Sequence, residues 1–415
     1  MQELRVDGER LWNTIMETGR IGATPQGGLN RLALSDADRD VRDWFVEACR
    51  SLGCAVTVDE VGNIFARRPG SDDSRDPIAI GSHLDTQPSG GKFDGVAGVL
   101  SGLEILRTLE DNHYQTVAPL ELIDWTNEEG SRFAPTMIAS GAFAGIYSTE
   151  FAHASTDRQG LTFGEELERI GYRGKVEAGD HKLGAYFELH IEQGPILYEE
   201  GTTIGVVTGA QGQMWYDLTV KGSQGHAGTT PMPLRRNPML ACARLVEGVN
   251  QIALNHPPSG LATVGLIEVS PNSRNVIPGS VFFTVDMRHP DVEQLRAMHG
   301  ELLTLVNQVV SDTNTDMDLQ NVLDMPPKEF DAQCVRMVRE AATRLGYGHR
   351  DIVSGPGHDA LSVAWVAPAA MVFIPCEHGI SHNEAENVKP EDVTAGANVL
   401  LHAIMEYDRR TAVAV

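Results

Sequence analysis

The chain has 415 residues, 41% of them apolar and 22% charged, with a formal net charge of −24. That length exceeds what one hydrophobic core usually serves, so two domains are expected, and the composition excludes a disordered chain. So negative a charge argues against nucleic acid and anionic membrane as partners.

Met1 to Arg10 is polar and lacks the apolar core of a signal peptide. Residues 36–52 set Val41, Trp44, Phe45 and Ala48 at helical spacing behind an acidic start, which predicts a helix ended by Gly53. Strands are expected at 55–61, 63–67 and 77–80, the last leading into Gly81-Ser82-His83. A helix at 96–109 follows, then buried strands at 120–125 and 186–191. Strands alternating with helices imply an α/β sheet with parallel pairs, and ligands collect at the carboxyl ends of such strands.

The middle of the chain changes character. Residues 213–220 and 261–269 alternate like half-exposed strands, 238–254 reads as a helix, 281–288 as a strand and 291–310 as a helix. After Pro326-Pro327 the α/β pattern resumes, with a helix at 331–345, a strand at 370–374 and a terminal helix from Pro390. The expectation is a discontinuous α/β domain, residues 1–209 and 326–415, with a mixed sheet flanked by helices, interrupted by an α+β domain at 210–325. Residues 362–374 form the longest nearly apolar stretch, too short for a bilayer and holding Pro368. The five cysteines (Cys49, Cys54, Cys242, Cys334, Cys376) are sparse and odd in number, which disfavours a disulfide framework and suggests thiols in a reducing cytoplasm.

Chemistry-bearing residues fall at the expected strand ends. His83 and Asp85 lie two apart on extended chain and share a face. A histidine is a good zinc ligand and a neighbouring carboxylate can fix its tautomer. Alone, such a pair more often marks a hydrogen bond with no metal. Asp94 sits in the Gly-rich turn Gly90-Gly91-Lys92-Phe93-Asp94-Gly95, where a carboxylate could bridge two ions. Glu128 and Glu129 are adjacent in an apolar-flanked turn and are costly to bury unless paired or coordinated. Their side chains diverge, so one can ligate while the other faces a reacting water. His190 and His382 end or follow further buried strands. Gly355-Pro356-Gly357-His358-Asp359-Ala360 fits a dinucleotide-binding pattern, but Pro in the turn and its late position argue against that use. No Gly-x-Ser-x-Gly elbow or His-Glu-x-x-His helix is present.

Residues 81–95, 128–133, 188–195, 222–231, 272–288, 355–360 and 377–384, in that order, resemble the amidase, hydantoinase/carbamoylase family. That family includes N-carbamoyl-L-amino acid hydrolases, β-ureidopropionases and allantoate amidohydrolases, within the two-zinc aminoacylases and exopeptidases. The resemblance implies a zinc exopeptidase-like catalytic domain, a ferredoxin-like dimerisation or lid domain, and a homodimer; the cytoplasmic expectation rests on the cysteines and the polar N-terminus. It implies two divalent ions per subunit, zinc first, with manganese, cobalt or nickel compatible. His83, Asp94 and His190 would hold one ion, and Glu129 and His382 the second, sharing Asp94. Asp85 would support His83, and Glu128 would be the general base. His226 and Asn275 would stabilise the oxyanion, His226 reaching the other subunit's site. Arg288 would clamp a substrate carboxylate, and Gln193 and His358 would line the pocket. The implied reaction is hydrolysis of the ureido C–N bond of an N-carbamoyl amino acid. Allantoate hydrolysis is the alternative, and an aminoacylase or dipeptidase a more distant one. Gln87, Ser89 and Ala134-Pro135 depart from the family pattern and are expected to alter the pocket wall.

Overall fold

The computed structural model describes residues 4–413; Met1–Glu3, the start of the polar segment noted above, lie outside the described residues. The chain divides into two compact units, residues 1–209 with 329–415, and residues 210–328.

In the larger unit, local sequence explains the first elements. The helix Asp36–Ser51 starts where the Ser35 side chain accepts from the Asp38 N–H, carries Asp36 and Asp38 in its first turn and Arg50 in its last, and buries Val41, Phe45 and Cys49. Strands β1 (Ala55–Val58), β2 (Ile64–Arg68), β3 (Ile78–His83), β4 (Leu120–Trp125), β5 (Ala185–Ile191) and β6 (Ile204–Ala210) follow.

The smaller unit holds β7 (Gly212–Lys221), β8 (Gly225–His226), β9 (Leu261–Thr263), β10 (Ile267–Ser270), β11 (Val276–Ile277), β12 (Ser280–His289) and β13 (Asp316–Met325). Five of these form an antiparallel sheet in the order β10-β12-β7-β13, with β9 also on β12. Alternate residues of β7 and β12 (Met214, Tyr216, Leu218, Val220; Val281, Phe283, Val285, Met287) point into one core. The helices Pro238–Leu254 and Val292–Thr313 close it with Leu245, Leu302 and their neighbours. The strand expected at 261–269 is two strands, because residues 264–266 oppose only Thr284 and Val285 of β12 and break the register. The ten-residue β13 had no counterpart in the sequence reading.

The chain passes back into the larger unit within β14 (Lys328–Glu329), followed by β15 (His349–Ser354), β16 (Ala369–Ile374) and the terminal helix Pro390–Val413. Its sheet has nine strands in the order β1-β2-β4-β3-β5-β16-β6-β14, with β15 on β6. Strands β4, β3, β5 and β16 run parallel to their neighbours within this group, while β1, β2 and β6 are antiparallel additions. The four parallel strands are buried along their whole length, as both-faces-covered parallel strands must be. Among the described residues no helix is long and apolar enough to cross a membrane.

Candidate metal centre

Four parallel strands deliver the site from their carboxyl ends. His83 closes β3, Glu128 and Glu129 follow β4, His190 is the penultimate residue of β5, and His382 follows β16. Asp94 comes from the turn before the helix Val96–Asp111. His83, Asp94 and His190 offer ligand atoms within 4.8 Å of one another, and so do Asp94, Glu129 and His382. Asp94 Oδ1 is 3.1 Å from His190 Nε2 and 3.8 Å from His83 Nε2, while its Oδ2 is 3.4 Å from His382 Nε2. Glu129 Oε2 is also 3.4 Å from His382 Nε2. One carboxylate thus faces both triads.

A third group, Glu188, His190 and His358, is equally compact, but its chemistry is already committed. Glu188 Oε1 accepts from Ser82, and its Oε2 accepts from Tyr186 and from the Ala360 N–H. His190 Nδ1 lies 2.9 Å from the Ile191 carbonyl, which leaves Nε2 as its ligand atom, and Nε2 faces Asp94. The His358 ring is tilted 57° against that of His190, with centroids 4.4 Å apart, and keeps a buried Nε2 with no partner. It therefore lies beside the first triad as a neighbour of His190.

The donor set suits divalent cations. Imidazoles and carboxylates are the ligands that zinc and the neighbouring first-row metals accept. His83 Nε2 is buried without a hydrogen-bond partner, and its Nδ1 is 2.9 Å from the Asp85 carbonyl. A carbonyl accepts only, so Nδ1 carries the proton and the Nε2 lone pair points into the site. Burial pushes the His83 pKa down to about 4, keeping it neutral and ready to ligate. Burial also pushes Glu128 and Glu129 well above the usual carboxylate range, Glu128 next by Asp359 and Glu129 next by Asp94. Such crowding of carboxylates without cations is what bound metal relieves.

The structure corrects one support. Asp85 was expected to hold His83 through its carboxylate, but that group is 3.8 Å from His83 Nδ1 and the main-chain carbonyl takes its place. The Asp85 carboxylate instead accepts from the Glu128 and Glu129 N–H groups, each at 3.2 Å. It fixes the turn that presents both glutamates. Glu128 Oε2 stands 3.5 Å from His83 Nε2.

Two further groups expected in the pocket touch the candidate ligands. Gln87, expected in the pocket wall, donates to Glu129 Oε2 at 2.7 Å. Gln193, expected to face substrate, donates its amide to Asp94 Oδ2 at 2.8 Å and keeps a buried Oε1 without a partner. Gln193, His382 and Asn127 all hold positive φ (57°, 53° and 57°), strain of the kind that collects at functional sites.

The remaining predicted residues lie in the smaller unit. His226 and Asn275 share a two-stranded ribbon, where Val276 pairs with His226 and the Ala227 N–H donates to the Asn275 carbonyl at 3.0 Å. Both are exposed. Arg288 is held by Asp286, two residues back on the same face of β12, with Nη2 donating to Oδ2 at 2.8 Å.

The sequence profile of the M20/M25/M40 peptidase family matches residues 79–406. The chain belongs to that family. It is a hydrolase, and it is 48% identical over 402 residues, 97% of each chain, to an N-carbamoyl-L-amino-acid amidohydrolase of Rhizobium meliloti. It is 32% identical to an allantoate amidohydrolase of Bacillus subtilis, over 91% of this chain and 92% of that one. A solved hydantoinase/carbamoylase-family amidase from Burkholderia multivorans matches with a TM-score of 0.92 and 55% identity, covering 97% of this chain and 98% of that one.

Proposed function

We propose that this hydrolase cleaves the ureido C–N bond of N-carbamoyl-L-amino acids or N-carbamoyl-β-alanine with two divalent ions, zinc first. The observation that carries the reading is the paired triad around Asp94 in a chain 48% identical, end to end, to an N-carbamoyl-L-amino-acid amidohydrolase. His83, Asp94 and His190 would hold one ion, and Asp94, Glu129 and His382 the other. Bound there, the ions would act as Lewis acids on water and on the ureido carbonyl. Glu128, which burial and then Asp359 push well above the usual carboxylate range, is placed to take the proton of the attacking water and return it to the leaving nitrogen. A C–O bond forms, the C–N bond to the amino acid breaks, and the released carbamic acid decays to ammonia and carbon dioxide. His226 and Asn275 would donate to the oxyanion, and Arg288, oriented by Asp286, would clamp the substrate carboxylate. In a homodimer the ribbon of one subunit would supply His226 to its partner.

Allantoate is the second reading, favoured by the 32% identity to the Bacillus subtilis enzyme. The test is ammonia release from metal-loaded protein given N-carbamoyl-β-alanine, several N-carbamoyl-L-amino acids and allantoate, each with and without chelator. Chelator-sensitive release from carbamoyl substrates is expected. Release from allantoate alone would replace the first reading with the second, and release from none would move the activity to a peptide or acyl-amide bond.

A further inference from the structure

One buried carboxylate at the site takes no part in the hydrolysis described above. Glu386 lies just beyond His382 and is 5% exposed. Its Oε1 accepts from the main-chain N–H groups of Phe93 at 3.0 Å and Asp94 at 3.1 Å. Its Oε2 is 3.0 Å from Ser381 Oγ, and that hydroxyl is 2.9 Å from Asp94 Oδ2. A single carboxylate thus grips the backbone of Asp94 directly and its side chain through one hydroxyl. Ser381 also precedes His382 in the chain, so the same contacts hold the segment that carries a ligand of the second triad. The two segments are 292 residues apart in sequence, and no local propensity could bring them together.

The turn is shaped for this carboxylate. A Cβ on Gly91 would lie 2.0 Å from Glu386 Oε1 and 2.1 Å from its Cδ, so the chain passes Glu386 only where there is no side chain. Gln193, which donates to the same Asp94 Oδ2 and lies 3.4 Å from Ser381 Oγ, completes the clamp.

We infer that Glu386, through Ser381 and the Phe93 and Asp94 amides, is a positioning residue that sets the bridging carboxylate of Asp94 relative to both metal subsites. The inference rests on the two-ion reading above. Groups that orient ligands from behind are worth roughly 10–100-fold in metal affinity, and Glu386→Ala and Ser381→Ala are expected to lose about that much.

The experiment is a cobalt(II) titration of the metal-stripped full chain against a competing chelator, following the visible ligand-field bands, with thermal melts of the metal-free proteins alongside. Wild type is expected to take two ions with a defined spectrum. Ser381→Ala should melt like wild type when metal-free yet bind cobalt more weakly and with altered bands. Glu386→Gln, which keeps an acceptor for both amides and can donate to Ser381 Oγ, should restore most of the affinity lost in Glu386→Ala. Gly91→Ala should behave as Glu386→Ala does. Wild type binding fewer than two ions would overturn the two-ion reading itself. Wild type binding two, with Ser381→Ala and Glu386→Gln showing wild-type affinity and spectra and Glu386→Ala either matching them or failing to fold, would leave Glu386 a structural staple and overturn the positioning role.

Discussion

At Gly95 the backbone has φ +67°, and a Cβ there would lie 2.3–2.5 Å from three atoms of the His83 ring. Both the conformation and the close approach require glycine: ψ is −49° and the Val96 N–H donates to the Asp94 carbonyl at 2.7 Å, a γ-turn, and so sparsely populated a backbone costs other residues roughly 1–3 kcal/mol before any overlap is counted. Gly95→Ala is therefore expected to displace His83, lowering bound metal per chain and the melting temperature together. Unchanged metal content would show that the His83 ring has room the structure does not give it. At this scale the cluster around Asp94 was legible, because His83, Glu129 and His190 sit at or just past strand ends and Asp94 and His382 in turns that carry motifs. The groups that hold them were not. Glu386, Ser381 and Gln87 act through contacts between distant segments, and a carboxylate that accepts two main-chain amides leaves no spacing signature. Asp85 shows the complementary error. Its proximity to His83 was right, but which of its oxygens faces the ring depends on the turn at 128–129.

Among the elements, three of the four parallel strands and several helices were legible to within a residue or two: 120–125, 186–191 and 238–254 correspond to Leu120–Trp125, Ala185–Ile191 and Pro238–Leu254, while the strand expected at 77–80 runs three residues further, to His83. What escaped has a physical reason. β13 alternates only over Asp316–Gln320, with Met317 and Leu319 against the core; a register shift between Asn321 and Leu323 breaks the period, and no residue of the strand is fully buried. Behind the site, a buried ion pair braces these elements. Arg42 donates to Asp38 at 2.8 Å, to the Gly62 carbonyl at 2.9 Å and to Thr126 at 3.2 Å. It joins the helix Asp36–Ser51 to the segment that leads into Glu128. Both partners are fully buried, so removing one strands the other, at a cost of about 3–5 kcal/mol. Arg42→Ala should show that loss in urea unfolding of the metal-free protein. A loss below about 1 kcal/mol, the worth of an exposed pair, would mean that water reaches Asp38.

On the scale of the whole molecule, the sequence reading placed the insertion at 210–325, and the contacts divide the chain at 210–328. The change from buried strands to alternating ones carried that expectation. Whether the smaller unit serves a partner subunit is testable by complementation. If the chain forms the homodimer proposed above, Glu128→Gln and His226→Ala should each be nearly inactive alone. If His226 acts across subunits, mixing and reassembling them should restore roughly a quarter of wild-type turnover, since half of randomly paired dimers are mixed and each holds one intact site. No recovery in verified mixed dimers would confine His226 to its own subunit.

The central claim is that Glu128 moves the proton while the residues around Asp94 hold the metal. The most direct measurement is metal content and kcat of Glu128→Gln beside wild type, on whichever carbamoyl substrate wild type turns over. The account predicts two ions per chain in both proteins and a fall in kcat of about 10²–10⁴-fold in the variant. Turnover near the wild-type rate with both ions bound would contradict it, and would remove Glu128 from the chemistry.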